Sequence, residues 1–152
     1  MSILQAELAT FFSAMIPVLE LRFAIPLGVA NGLHPLTAMV LAAIGNLVPI
    51  PFLILFTRHV FDWLKRWKPL SRLIEKLEAR ASKKSDVVLK YAGWGLCILV
   101  AIPLPGTGAW TGALVAAVLD LRLKKAMPAI IAGVAIAAVL VTLITYGATA
   151  FL

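Results

Sequence analysis

The chain has 152 residues, 62% of them hydrophobic and 14% charged, with a mean hydropathy of +0.99. A soluble domain is about half apolar and a quarter charged, and a chain this small cannot hide such an excess in its own core, so lipid must solvate most of it. The net charge of +7 argues against a nucleic-acid partner by its distribution: ten of the fourteen Lys and Arg lie between Arg58 and Lys90, the pattern of a cytoplasmic loop, with no basic stripe on a nucleic-acid-binding motif.

The N-terminus, "MSILQAELATFF", lacks the basic region of a cleaved signal peptide, so the first apolar segment is expected to be retained. That segment runs over 3–30 and is broken by Pro17, Glu20, Arg22 and Pro26. Asn31-Gly32 is a turn signal. Residues 36–57 follow without a charge, long enough at about 1.5 Å per residue to cross a roughly 30 Å hydrocarbon layer. Over 58–90, Val60, Leu64 and Trp67, then Leu73, Leu77 and Ala81 after Pro69, keep helical spacing, with Leu70 and Ile74 beside them. This predicts amphipathic helices on the membrane surface, with Trp63, Trp67 and the basic stems at headgroup level. Residues 91–119 are apolar but broken by "PLPGTG", and 126–152 form a second uncharged span. Pro35 and Pro128 stand near the starts of the two spans, where a missing N–H does little harm. Cys97 lies in an apolar run and reads as a packing residue rather than a disulfide or metal position.

Charge decides between two topologies. If all four apolar regions crossed the membrane, the loop "DLRLKK" (Asp120 to Lys125) would lie opposite the basic linker. Its three cations and one acid place it on the same, cytoplasmic side. That holds if 3–30 and 91–119 are re-entrant hairpins. The expected fold is therefore an all-α polytopic membrane protein in one domain of residues 1–152. It is an inverted repeat of hairpin 3–30 with span 36–57 and hairpin 91–119 with span 126–152, joined by the linker 58–90. Both termini are expected outside. A weak internal echo pairs "LHPLTAMVLAAIGN" with "LKKAMPAIIAGVAI", matching Leu33 to Leu123, and "AIPLG" with "AIPLPG", as similar breaks.

Turn backbone inside a bilayer survives only when buried in protein or facing water. Pro103, Pro105, Gly106 and Gly108 supply such a bend, and free N–H groups around Gly106, Thr107 and Gly108 could form an anion-binding concavity. Alternatively, the glycines only let the hairpins touch. An Arg near the bilayer centre costs roughly 2.5–3.5 kcal/mol. Glu20 and Arg22, two residues apart, do not face each other on a regular helix and can pair only if the helix breaks there. Otherwise they meet the "PGTG" tip, Asn46, water or a substrate, or sit in the headgroup layer if the segment is interfacial.

"LELRFAIPLGVANGLHPL", "IGNLVPIPFLI" and "AIPLPGTGAWTGAL" together resemble the small multi-drug export proteins, a family similar to the wider DedA/VTT superfamily; the likeness runs from about Pro17 to Leu123. The resemblance implies an inverted pair of re-entrant hairpins and transport. For the superfamily it implies movement of lipids or polyprenyl-phosphate carriers between leaflets, in some members tied to protons. On that resemblance Glu20 and Arg22 match the charged first hairpin, and Pro103 to Gly108 with Trp110 and Thr111 match the second tip. The chain departs from the DedA pattern in having no Arg between that tip and Asp120.

The expected function is a small secondary transporter of the plasma membrane for an amphipathic or anionic, lipid-like substrate. The candidate binding residues are Glu20, Arg22, Pro26, Asn46, Pro103, Pro105, Gly106, Thr107, Gly108, Trp110 and Thr111, with Glu20 as proton-linked acid. A passive lipid scramblase or polyprenyl-phosphate flippase, and a membrane-organising protein acting through the basic linker, are the alternatives. No metal or cofactor is expected, and no nucleophile–base set or paired carboxylates suggest an enzyme. Membrane lipids are the expected surroundings, and the small size suggests a homo-oligomer.

Overall fold

The computed structural model describes residues 2–64, 66, 72, 85–104 and 107–150. The stripe residues Trp67, Pro69, Leu70, Leu73, Ile74, Leu77 and Ala81 of the expected surface helices lie outside the described residues, as do Pro105 and Gly106. All regular structure among the described residues is helical: α1 (Ile3–Met15), α2 (Glu20–Ala30), α3 (Pro35–Leu47), α4 (Ile50–Leu64), α5 (Ser85–Ala101), α6 (Ala109–Val118) and α7 (Leu123–Ala150).

Local chemistry sets the boundaries. Ser2 and Gln5 form a capping box that starts α1. Ile16 ends it in an extended conformation because it precedes Pro17, whose ring disfavours a helical predecessor. The break in the first apolar region is thus at Ile16–Leu19. Of the expected interruptions Pro17 marks it, whereas Pro26 sits inside α2; there its missing N–H falls within a helix that neighbouring helices hold in place. At α3, Pro35 occupies the first turn and the His34 Nδ1 accepts from the Leu36 N–H at 3.3 Å. Helices α3 and α4 join through Val48 and Pro49 into an apolar rod, Pro35–Val60, and α7 supplies a second, Leu123–Ala148, each of 26 residues. At about 39 Å each, these rods can cross a hydrocarbon layer. Helices α1, α2 and α6, with 13, 11 and 10 residues, span only about 15–20 Å.

The short helices pack in pairs. Helix α1 lies against α2 and both lie on α3; α5 lies on α7 and touches α6; α2 also meets α7, and α6 meets α4. Ala6 near the start of α1 packs with Leu33 just beyond α2, so this pair begins and ends at one level. At the other pair, Gly93 and Trp94 of α5 share a cavity with Leu121 just beyond α6. The C-terminal half of α4 reaches the same end. Arg58 donates to the Leu121 carbonyl and lies 3.5 Å from the Asp120 carboxylate.

A common spacing relates the two halves. Positive φ occurs among the described residues at Glu20 (48°), Gly32 (89°), Gly108 (136°) and Asp120 (50°). Glu20 and Gly108 stand at the starts of α2 and α6; Gly32 and Asp120 follow their ends. Both pairs are 88 residues apart, and so are the starts of the two rods. The helix ends are built alike. The Leu33 N–H donates to Gly28 and the Gly32 N–H to Val29; the Leu121 N–H donates to Ala116 and the Asp120 N–H to Ala117. Each is a Schellman motif needing a left-handed residue, an undemanding position for glycine and a costlier one for aspartate. Leu33 and Leu121 thus hold the same place in two like helix ends, whereas the sequence echo sets Leu33 against Leu123. Runs of Ala, Leu and Val fit several registers, whereas left-handed turns fit one.

Gly45 and Gly133 are also 88 residues apart and let α1 and α5 approach the rods. A Cβ at Gly45 would fall on the Phe11 carbonyl, and one at Gly133 would meet the Cys97 carbonyl and Val100 Cβ, each at 2.7 Å. Gly147 has open space around it. Gly45→Leu and Gly133→Leu should each destabilise the protein by about 1–3 kcal/mol through overpacking, while Gly147→Leu leaves it unchanged, as read by thermal unfolding in detergent.

Candidate functional site

Glu20 and Arg22 face each other because the helix begins irregularly. At φ 48° Glu20 departs from helical geometry, a strained conformation for a residue with a Cβ. The departure brings its Oε2 to 3.6 Å from Arg22 Nη1, which two residues apart on a regular helix cannot achieve. Only 5% of Glu20 is exposed.

The second broken segment supplies the rest of the site. The Trp110 N–H, in the first turn of α6, donates to Glu20 Oε1 at 3.3 Å. That end of the helix also favours a negative charge through its free N–H groups. Gly108 lies directly beneath the carboxylate: a Cβ there would coincide with the carboxylate oxygens, and its φ of 136° is one that side chains disfavour. Arg22 reaches across to the unwound segment between α5 and α6. It donates to the Thr107 carbonyl, to the Ile102 carbonyl at 2.8 Å and to Thr107 Oγ1 at 2.9 Å. Thr107 Oγ1 in turn donates to the Ile102 and Leu104 carbonyls, at 2.7 and 2.8 Å. These carbonyls have left the helical ladder, and the guanidinium fork with the hydroxyl satisfies them.

A cavity of about 550 Å³ opens beside the pair, lined by Pro17, Leu19, Glu20, Arg22, Phe23, Pro103, Thr107 and Thr111, with Val18 at its rim, 89% exposed. The structure thus brings together Glu20, Arg22, Pro103, Thr107, Gly108, Trp110 and Thr111 of the expected set. Pro26 and Asn46 do not line the cavity. Asn46 is fully buried on α3, and among the described residues neither of its amide atoms has a hydrogen-bond partner. Pro17 and Phe23, both cavity residues, were not expected from sequence. Neither was Arg58, whose pairing with Asp120 joins segments 62 residues apart with no local signal to announce it. Among the described residues no three His, Cys, Asp or Glu gather as a metal site.

Two long apolar rods packed on each other, short helices lying against them and a charged pair seated on unwound backbone define a small polytopic helical membrane protein. The family described as "Putative small multi-drug export protein" matches residues 20–140, and the chain belongs to that family. Comparison with curated proteins and with solved structures gives no match.

The pair and its seat should behave as one unit. Arg22→Gln leaves a buried carboxylate without its counter-charge, and Glu20→Gln relieves it. A double-mutant cycle read by thermal unfolding in detergent is expected to give a coupling of about 1–3 kcal/mol. Gly108→Ala should unseat Glu20 and destabilise by a comparable amount, whereas Thr107→Ser keeps the hydroxyl and is tolerated.

Proposed function

We propose that this chain is a small exporter of the plasma membrane whose substrate path passes the cavity beside Glu20 and Arg22. The observation that carries this reading is an ion pair placed between two broken helical segments and open to a cavity. Ionisable side chains within a membrane domain are expensive and ordinarily serve transport. The family's description, an export protein, points the same way.

In this reading 3–30 and 91–119 are re-entrant hairpins related as an inverted repeat, with the charged site where their tips meet. Three observations support it. Helices α1, α2 and α6 and the apolar part of α5, Tyr91–Ala101, are about half to two-thirds as long as a hydrocarbon layer is thick. The 88-residue spacing recurs at the helix starts, helix ends and rods. Arg58 and Asp120 share one end of the molecule, which four full crossings would forbid. The positive-inside rule makes that end cytoplasmic and puts both termini outside. The many apolar side chains left exposed, Phe52 and Ile144 among them, suit lipid or further copies in a homo-oligomer.

The working cycle is a competition for Arg22. With Glu20 ionised, the guanidinium is shared between the carboxylate and the tip carbonyls. A proton on Glu20 removes its charge and loosens the pair, freeing Arg22 for an anionic, lipid-like head whose tail rests against Val18 and Phe23. Release of the proton on the opposite side restores the pair and expels the head there. Proton and head then cross together, coupled through one carboxylate.

Reconstituted vesicles with a fluorescent short-chain anionic phospholipid and an imposed pH gradient test this. Glu20→Gln should remove the pH dependence, and Arg22→Ala should remove saturable uptake. Normal transport by both variants would overturn the proposal. Exchange without a gradient in the wild type would identify a passive scramblase instead, a reading that the lipid-facing rim at Val18 favours. Single cysteines at Asp62 and Arg122 should be labelled from the same side of the membrane, and one at Gly32 from the other.

A further inference from the structure

A second cavity lies at the end shared by Arg58 and Asp120. It measures about 620 Å³ and runs between Trp94 of α5 and Lys124, Lys125, Pro128, Ala129 and Ala132 of α7. It lies on different residues from the Glu20–Arg22 cavity, with none in common.

The 88-residue spacing gives this groove an internal control. Its counterparts in the first half include Ala6, Leu36, Thr37, Val40, Leu41 and Ile44. There Ala6, Leu33 and Ala38 pack together, with Val29 and Leu41 against them, while Leu36, Val40 and Ile44 present bulky side chains at the surface. In the second half Leu41 and Ile44 are replaced by Ala129 and Ala132, which lowers the floor. Ala6 is replaced by Trp94, 72% exposed, which forms a wall rather than a plug. Leu36 and Thr37 are replaced by Lys124 and Lys125, both exposed. Shrinking the floor, raising an aromatic wall and adding two cations at one end is a coherent set of changes. It gives the second half a groove that is apolar along its length and cationic at its mouth.

We infer that this groove binds one anionic phospholipid, its phosphate at Lys124 and Lys125 and an acyl chain along Trp94, Pro128, Ala129 and Ala132. Charge complementarity selects the occupant. Among the described residues no acid lines the groove, and Asp120, the carboxylate nearest in sequence, is engaged by Arg58. The apolar floor runs two turns, from Lys125 to Ala132, about 10 Å along α7, which suits a hydrocarbon chain and not a soluble anion. Trp and Lys at one level are the usual pairing at a membrane interface, where a headgroup lies. The inference does not depend on transport at Glu20 and Arg22.

Native mass spectrometry of the detergent-solubilised protein, titrated with phosphatidylglycerol or phosphatidylcholine of the same chain length, tests it. Phosphatidylglycerol should bind as a single high-affinity adduct and phosphatidylcholine should not. Lys124→Gln with Lys125→Gln should weaken the adduct roughly 30-fold, two surface cations at about a tenfold-or-less step each. Ala132→Trp, at an exposed position, should weaken it by filling the groove while both cations remain, and glycerol phosphate should not compete. Glu20→Gln should leave the adduct intact, which separates this site from the exporter reading. Equal retention of the two lipids, or an adduct unaffected by the lysine changes, overturns the inference. So does an adduct unaffected by Ala132→Trp, or a change in oligomeric state in place of a change in lipid retention, which would make the groove a contact between copies.

Discussion

An ionised carboxylate and a guanidinium cannot both be left to lipid, and the arrangement of this molecule follows from where they are put. The seat is made from the opposite half of the chain: the Trp110 N–H for Glu20, and the Ile102 and Thr107 carbonyls for Arg22. The solution is reciprocal. The second broken segment has carbonyls that an unwound helix cannot satisfy, and the first has donors to satisfy them. Neither segment is a tolerable membrane structure alone, because lipid offers no hydrogen bonds. Joined, they satisfy most of each other's exposed polarity. The two broken segments therefore meet where Glu20 lies on Gly108, which must lack a side chain at that approach.

In the proposed transport cycle the same seat is what would let the site change. A carboxylate held by one backbone donor and one shared cation has few partners to lose. Neutralising it shifts the balance of a guanidinium that already has alternative acceptors. The cavity beside the pair supplies room for a third participant. A rigid pair in a closed core would offer neither the alternatives nor the room.

The two parts of the chain contribute differently to the site. The first contributes the charges, and Ala6, Leu33 and Ala38 pack together near its start. The second contributes the unwound backbone and carries a cavity beside two lysines. Arg58 ties the two, holding the turn after α6 to the end of the first rod.

Composition and charge by themselves determined that this is a helical membrane protein with a basic linker, because hydropathy and charge act residue by residue and need no partner. The two rods were legible for the same reason, as were Glu20 and Arg22 as anomalies and "PLPGTG" as a break. Which of the two prolines breaks the first segment was not. Both Pro17 and Pro26 read as interruptions, yet the chain bends only at Pro17, since packing on α3 and α7 keeps α2 helical through Pro26. The register of the halves, the pairing of Glu20 with Arg22 and its seat on Thr107 to Trp110 were decided only in three dimensions. They depend on left-handed φ values and on contacts between residues about 85 to 90 apart. No local pattern encodes such contacts; they arise when two incomplete segments satisfy each other's backbone.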